Sequence, residues 1–332
     1  MSRSGTRTAA AVAVCLAIAV SGCSSQGGKQ EEQQAAGGSA GKADTPRMTI
    51  AMINHASPGD TFWDIVRRGA EAAAAKDNVD LKLSSDPQPG NQANLVQNAI
   101  DSKVDGIAVT VAYPNEMKAV IQKARAAGIP VVAFNSGLDN WKDAGAMMYF
   151  GSDESLAGLA AGRRLTDEGA KKALCVVQQQ GHVALEARCD GLVKGFTGGS
   201  AEKIYVEGTN MPSVTSTIQA KLKQDPSIDA VVTLGAPFAL AAVQVVKDAG
   251  SSARVATFDT NKDLIPAIKS GGVQWAIDQQ PYLQGYLSVD SLWLNKNNGN
   301  VIGGGNTVPT GPYFIDKGNV DAVEKFASAG TR

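Results

Sequence analysis

The chain has 332 residues, of which 43% are hydrophobic and 19% are charged. This length is too great for one small core and predicts two domains of about 100 to 200 residues each, with a cleft between them. The formal net charge of −1 at pH 7, without helix-turn-helix or zinc-finger spacing, argues against a nucleic-acid-binding protein.

Residues 1–22 have the features of an export signal. Arg3 and Arg7 precede the apolar stretch "AAAVAVCLAIAV", which is too short to span a membrane. The following "VSGC" is similar to the lipobox of bacterial lipoproteins, whose cysteine is lipidated and becomes the first residue of the mature chain. In this sequence that cysteine is Cys23. The alternative is a simple cleaved signal without a lipid.

Residues 23–46 are rich in Gly, Ser, Gln and Ala and lack apolar periodicity, which predicts a flexible, lipid-anchored linker. The folded part therefore starts near Arg47. Beyond the signal and the lipid candidate, the remaining cysteines are Cys175 and Cys189. Outside the cytoplasm such a pair predicts one disulfide. The rise per residue of a strand through Cys175 and of a helix through Cys189 would place both at similar depths below the carboxyl edge of a sheet, which favours the pairing.

Beyond the linker, short runs rich in Val, Ile and Ala alternate with longer helical stretches. This pattern is typical of α/β proteins whose parallel sheets are covered on both faces. Helices are predicted over 64–76, 114–128 and 237–250, and the last two end in glycine. The predicted strands lie at 48–54, 80–85, 106–111, 130–134 and 146–150, and then at 172–178, 203–207, 230–234, 254–258 and 273–278.

The two halves of this region resemble each other. "VDGIAVTVAYP" and "AVIQKARAAGIPVVAFNS" have counterparts in "IDAVVTLGAP" and "AAVQVVKDAGSSARVATFDT". The repeat predicts one doubly wound parallel-sheet unit built twice. Ligands of such sheets sit beyond the carboxyl ends of the strands, so the loops after the strands form the candidate site.

Two adjacent aromatic residues follow the first predicted strand, in the turn "SPGDTFWD". Phe62 and Trp63 can offer flat apolar faces to the C–H face of a sugar or polyol ring. The alternative is that they open the next helix and pack on the core. Asp60, just before them, has a structural alternative as an ordinary helix N-cap.

Seven motifs, in their order and spacing, resemble the type I periplasmic solute-binding proteins, the ribose- and galactose-binding group that serves ABC transporters. They are "GDTFWD", "VDGIAV", "AGIPVVAFN", "GSDE", "EARCDG", "VATFD" and "AIDQQPYLQGY". The resemblance implies two doubly wound lobes joined by crossing hinge strands, which close on a ligand. The expected lobes are 47–151 with 280–309 and 152–279 with 310–332, and the expected hinges lie near 151–153 and 279–281.

The resemblance and the position of the cleft loops together imply a set of ligand-binding residues, with Arg188 as the main polar anchor. The set is Asp60, Phe62, Trp63, Tyr113, Asn135, Ser136, His182, Arg188, Gly235, Asp259 and Gln279. Ribose binders commonly have Asp-Arg where this chain has Asn135 and Ser136, and a polar residue where it has Gly235. Ribose is therefore disfavoured, whereas a neutral polyol, an aldose or a larger ligand would fit.

The predicted function is that of an extracytoplasmic, lipid-anchored, monomeric binding protein. It would capture a sugar or polyol and hand it to an ABC transporter permease driven by a cytoplasmic ATPase. No enzyme and no cofactor are predicted, because the serine-hydrolase elbow, the phosphate-binding loop and the dinucleotide fingerprint are missing from the sequence. The alternative functions are a sensory receptor domain and, as a third possibility, an enzyme. The alternative ligand is of the nucleoside type.

A zinc site built from His55, His182 and Asp259 is conceivable. The two histidines are assigned to different lobes and lack the short spacing of known ligand sets, so no metal is predicted. Three of the candidate residues also have structural alternatives. These are a hydrogen bond near a helix for His182, an N-cap of a helix beginning near Lys262 for Asp259, and a solvated surface position for Arg188.

Overall fold

The computed structural model describes residues 41–57 and 59–332. The predicted export signal, the predicted lipidation site at Cys23 and most of the predicted linker lie outside the described residues. Among the helices that the structure does describe, none is long and apolar enough to cross a membrane.

The strands of the described part form two six-stranded sheets. In chain order they are β1 (Met48–Asn54), β2 (Val79–Ser85), β3 (Gly106–Val109), β4 (Val131–Phe134), β5 (Met148–Gly151), β6 (Lys172–Val177), β7 (Ser200–Tyr205), β8 (Ala230–Thr233), β9 (Arg254–Phe258), β10 (Trp275–Asp278), β11 (Thr307–Pro309) and β12 (Tyr313–Asp316).

The first sheet has the strand order β11-β5-β4-β3-β1-β2 and is parallel throughout. The second has the order β12-β10-β9-β8-β6-β7, and only its edge strand β12 is antiparallel to its neighbour. We call each sheet with its covering helices a lobe, lobe 1 and lobe 2. The α/β fold class predicted from the sequence, with two doubly wound lobes, is confirmed.

Helices cover the faces of both sheets. In chain order they are α1 (Thr61–Lys76), α2 (Pro89–Asp101), α3 (Pro114–Ala126), α4 (Trp141–Ala144), α5 (Glu154–Asp167), α6 (Val183–Gly195), α7 (Met211–Gln224), α8 (Ala236–Asp248), α9 (Leu264–Ser270), α10 (Pro281–Asn298) and α11 (Val320–Ser328). Helices α3 and α8 end before Gly128 and Gly250, whose positive φ angles of 78° and 62° suit a residue without a side chain.

The predicted element boundaries need several corrections. The helix predicted over 64–76 begins at Thr61, because Asp60 caps it and the two aromatic residues occupy its first turn. Strands predicted over 106–111 and 273–278 are shorter, and the strand predicted over 203–207 lies at Ser200–Tyr205. The edge strands β11 and β12 were missed, since three or four residues with exposed positions carry no strong apolar pattern.

The chain crosses between the sheets three times in the described part. It passes from β5 into α5, from β10 into α10 and from β11 into β12. Each sheet has apolar clusters on both faces. Three of the four clusters contain fully buried aromatic residues, among them Phe134 and Tyr149 in lobe 1 and Trp275 in lobe 2. Two separately packed lobes are therefore joined by short segments.

In each lobe, a helix that follows a crossing packs closely against a neighbouring helix. In lobe 1, a Cβ atom at Gly285 of α10 would overlap the carbonyl oxygen of Val66 in α1. In lobe 2, a Cβ atom at Gly158 of α5 would overlap the carbonyl oxygen of Arg188 in α6. Only glycine allows the helix backbones to approach this closely at both contacts.

A disulfide joins strand β6, which lies next to the edge strand β7, to helix α6. It links Cys175 with Cys189, whose Cα atoms are 5.8 Å apart, and both residues are fully buried. The disulfide predicted from the sequence is therefore present in the structure. It fastens the amino-terminal half of α6, which carries Arg188, to the sheet beneath it.

We expect this disulfide to contribute about 3 kcal/mol to the free energy of unfolding, as the chain-entropy model gives for a loop of about 15 residues. Urea unfolding of the wild-type chain with and without reductant measures this contribution without changing any packing atom. The variant Cys175→Ala with Cys189→Ala serves as the control, because its unfolding midpoint should not respond to reductant. Equal midpoints for the oxidised and reduced wild-type chain would contradict the prediction.

Candidate ligand-binding site

A cavity of about 170 Å³ lies between the two lobes. Its walls include the residues that directly follow the carboxyl ends of six strands, three of which are His55 after β1, Asn135 after β4 and Asp259 after β9. The loops predicted to form a site therefore do surround one space. Of the predicted ligand-binding residues, the cavity is lined by Asp60, Phe62, Trp63, Asn135, His182, Arg188, Gly235, Asp259 and Gln279.

Asn135 and Asp259 occupy equivalent positions in the two lobes. Both have left-handed backbones, with φ angles of 63° and 64°, and the backbone N–H of each donates at 2.8 Å to a carbonyl of the neighbouring strand. Asn and Asp are the non-glycine residues that adopt this conformation most readily. The repeat seen in the sequence is thus repeated in the geometry of the site.

Gln279 connects these two residues across the cleft. Its Nε2 donates to Asp259 Oδ1 at 2.8 Å, and its Oε1 accepts from Asn135 Nδ2 at 3.2 Å. The alternative that Asp259 caps the next helix is wrong, because Asn261 Oδ1 accepts the hydrogen bond from the N–H of Leu264 at the start of α9. The Asp259 carboxylate instead belongs to the wall of the cavity.

Arg188 is buried, with only 3% of its surface exposed. Its Nε and Nη2 donate to the two carboxylate oxygens of Glu154 at 2.6 and 3.1 Å, and its Nη1 donates to the carbonyl of Leu234 at 3.2 Å. The Asp259 carboxylate lies 3.7 Å from Nη1, and the guanidinium stacks over the Phe258 ring at 4.6 Å. The alternative of a solvated surface arginine is therefore wrong.

One buried cation, Arg188, faces the carboxyl groups of Glu154 and Asp259. Burial lowers the pKa of Arg188, but the field of Glu154 and Asp259 and the hydrogen bonds with Glu154 outweigh it, so this pKa lies above its ordinary value. Burial raises the pKa of Asp259 to about 7 and that of Asp60 to about 6. Because Arg188 already has carboxylate partners inside the protein, the site suits a neutral ligand rich in hydroxyl groups.

Phe62 and Trp63 belong both to the core and to the cavity wall. Their exposed fractions are 8% and 9%, and their rings meet edge to face at 5.1 Å. Asp60 Oδ1 accepts a hydrogen bond from the N–H of Phe62 at 3.1 Å, so Asp60 is the N-cap of α1 and also lines the cavity. Phe62 and Trp63 therefore pack in the core and also line the cavity, and Asp60 caps the helix and also lines the cavity.

Two predicted residues lie behind the wall. Ser136 is fully buried and its hydroxyl donates to Asn135 Oδ1 at 2.7 Å. Tyr113 lies at the start of α3 and meets the ring of His182 edge to face at 5.9 Å. His55 and His182 belong to different lobes, as predicted, and their side chains are in direct contact. No group of three metal-ligating side chains occurs among residues 41–57 and 59–332.

A comparison with known families decides what kind of protein this is. The sequence profile described as the periplasmic binding protein domain matches residues 50–299. The chain belongs to this family. Proteins of the family act outside the cytoplasm as binding proteins for transport and are not enzymes, which confirms these two sequence-based predictions.

Individual relatives agree with the family. A carbohydrate transporter protein from Acidothermus cellulolyticus 11B, solved in complex with myo-inositol, is 61% identical, with a TM-score of 0.85 over 86% of this chain and all of that one. The xylose/arabinose-binding protein XylF from Sulfolobus acidocaldarius is 26% identical over 83% of this chain and 72% of its own length. A xylitol-binding protein from Mycolicibacterium smegmatis is 25% identical over 71% and 68%.

The binding protein also contains site residues that the sequence analysis missed. The Glu154 carboxylate accepts two hydrogen bonds from the Arg188 guanidinium. It was missed because an acidic residue in the first turn of a helix normally faces water. Gln178 and Thr260 line the cavity, and Gln178 Oε1 and Thr260 Oγ1 are buried without a hydrogen-bond partner in the described part. Both directly adjoin predicted strand ends or predicted site residues, which was the signal that could have found them.

Proposed function

We propose that this binding protein captures a small cyclic polyol, represented by myo-inositol, in the cavity between its lobes. The observation that carries the proposal is the cavity itself, which lies between the lobes and is lined by both hydrogen-bond donors and acceptors. The 61% identical relative solved with myo-inositol and the xylitol-binding relative support this ligand class.

The polar lining fits a ring that bears hydroxyl groups on successive carbons. Three of the five N–H donors of Arg188 are used within the protein, which leaves one on each Nη atom for ligand oxygens. Asp259, Gln178 and Thr260 supply acceptors. Because each hydroxyl group can donate and accept at once, one polyol can satisfy both kinds of partner.

The apolar wall gives the ring its second contact. Phe62 and Trp63 line the cavity together with Phe238. Aromatic faces pack well against the C–H face of a saturated ring, and such walls combined with a few placed polar groups are typical of small-molecule sites. The proposed contacts of Tyr113 and Ser136 are indirect, through the residues that they support.

We further propose that the protein is tethered to the membrane and delivers its ligand to an ABC transporter permease. The tether is supported by the export-signal pattern, by the "VSGC" sequence ending at Cys23 and by the polar linker after it. Delivery is supported by the family and by the ABC transporter relatives among its matches. A monomer, which closes around its ligand by itself, is sufficient for this role.

Myo-inositol is expected to raise the free energy of unfolding by about 2.7 kcal/mol at 100 times its dissociation constant. A thermal-shift screen of the protein with myo-inositol, xylitol, D-xylose, D-ribose and nucleosides measures this effect, and calorimetry then gives the affinity. Ribose serves as the control, because Asn135 and Ser136 replace the charged pair that ribose binders carry. Stabilisation by nucleosides with no response to myo-inositol would refute the proposed function.

A further inference from the structure

A direct hydrogen bond between two histidines joins the lobes. His55 follows β1 in lobe 1 and His182 precedes α6 in lobe 2, and their Nε2 atoms are 2.7 Å apart. Both residues are buried, with exposed fractions of 4% and 3%. Beside this contact, the N–H of Val183 in lobe 2 donates to the carbonyl of Ala112 in lobe 1 at 3.1 Å.

The surroundings fix which nitrogen of each ring carries hydrogen. His182 Nδ1 accepts from the backbone N–H groups of Ala184 and Leu185, at 3.2 and 3.4 Å, so its hydrogen is on Nε2. That Nε2–H donates to His55 Nε2. The hydrogen of His55 is therefore on Nδ1, which donates to Thr110 Oγ1 at 2.8 Å. The helix N-terminus in lobe 2 thus sets the tautomer of a ring in lobe 1.

This assignment leaves neither ring a nitrogen with which to hydrogen-bond a ligand. Both rings must also be neutral, since a second hydrogen on His55 would face the Nε2–H of His182. Burial lowers the pKa of His55 to about 3 and is the main cause that lowers the pKa of His182, so both rings are neutral at pH 7. The lining role of His182 is limited to its carbon atoms.

We propose that His55 and His182 form a histidine clasp, a pair of positioning residues that holds the lobes closed over the cavity. The clasp forms only when the lobes meet, because its members come from different lobes and from segments outside the three crossings. Breaking it on opening returns both rings to water. The clasp therefore prolongs the lifetime of the closed state, and a longer closed state lowers the dissociation rate of the ligand.

Three single variants separate the clasp from general packing. His55→Gln keeps an acceptor towards His182 and a donor towards Thr110, because a carboxamide spaces these atoms much as the imidazole does. His55→Leu keeps the bulk and removes both. His182→Asn keeps a helix-capping side chain for α6, since asparagine is a favoured N-cap, but is too short to reach His55.

We expect His55→Leu and His182→Asn to dissociate from myo-inositol about tenfold faster than wild type, as measured by stopped-flow fluorescence, with little change in the association rate. We expect His55→Gln to remain within about twofold of wild type, because it restores the hydrogen bond. Unchanged dissociation rates in His55→Leu and His182→Asn, or a His55→Gln variant as fast as His55→Leu, would overturn the clasp.

The dissociation-rate measurement rests on the proposed function, so a second measurement works without a ligand. Ala112→Cys with Val183→Cys places one thiol on each side of a backbone hydrogen bond that joins the lobes, so we expect a disulfide between them to form only when the lobes are closed. We expect this disulfide to form several times more slowly when His55→Leu is added, and at the unmodified rate when His55→Gln is added. Equal rates in all three backgrounds would refute the clasp, whereas failure of wild type to bind myo-inositol would refute only the proposed ligand.

Discussion

Replacing Glu154 by alanine is expected to lower the free energy of unfolding by about 3 to 5 kcal/mol. The variant leaves the Arg188 guanidinium charged and buried, because arginine cannot release its proton and Glu154 supplies two of its hydrogen bonds. Asp259, at 3.7 Å, compensates only part of this loss. Urea unfolding monitored by circular dichroism measures the effect, and a change below about 0.5 kcal/mol would show that the pair does not stabilise the fold.

A matched double variant separates the stability of this pair from its role in binding. Glu154→Leu with Arg188→Met removes both charges and keeps similar volumes, so most of the lost stability should return. Binding of myo-inositol should not return, because the guanidinium fork is absent. Arg188→Lys should also bind weakly, since a single ammonium cannot replace the fork, and hydroxyl groups left unpaired in a closed cavity cost about 1 to 3 kcal/mol. Normal affinity in both Arg188 variants would remove Arg188 from the ligand site.

Trp63→Ala is expected to cost about 3 to 5 kcal/mol of unfolding free energy and at least about tenfold in affinity for myo-inositol. The stability effect follows from lost packing against Phe62 and Phe134, and the affinity effect follows from its place in the cavity wall. The two effects are measured by urea unfolding and by calorimetry.

The control for this prediction is Trp141→Ala. Trp141 is also buried, with 3% of its surface exposed, but it packs in the other apolar cluster of lobe 1 and does not line the cavity. We expect it to lose a similar amount of stability and to keep the wild-type affinity and the ligand-dependent change in tryptophan fluorescence. If both variants bind equally well, Trp63 is a core residue without a role in the site.

Much of this fold could be predicted from the sequence because buried parallel strands are continuous apolar runs. Runs such as the one from Met48 to Asn54 stand out against the helical stretches between them. The equivalence of Asn135 and Asp259, which both have left-handed backbones, could also be predicted, because the two residues occupy matching positions in the sequence repeat. The boundary at Thr61 was missed because the capping role of Asp60 was left open.

The remaining features depend on contacts between distant parts of the chain. Glu154 and Arg188 are 34 positions apart, and no local pattern distinguishes a buried acidic residue in a first helical turn from a solvated one. His55 and His182 are 127 positions apart and meet only when the lobes close. Their assignment to different lobes could be made from the sequence, but their contact could not.

The glycine contacts between helices have a mechanical consequence. At Gly158 the backbone of α5 contacts the carbonyl of Arg188 directly. Four residues earlier, at the start of α5 and immediately after the first crossing, Glu154 accepts a hydrogen bond from the side chain of the same arginine. No flexible side chain lies at the glycine contact to absorb a displacement. We therefore expect a ligand that binds Arg188 to act on the start of α5, next to the first crossing, so that lobe 2 moves as one body.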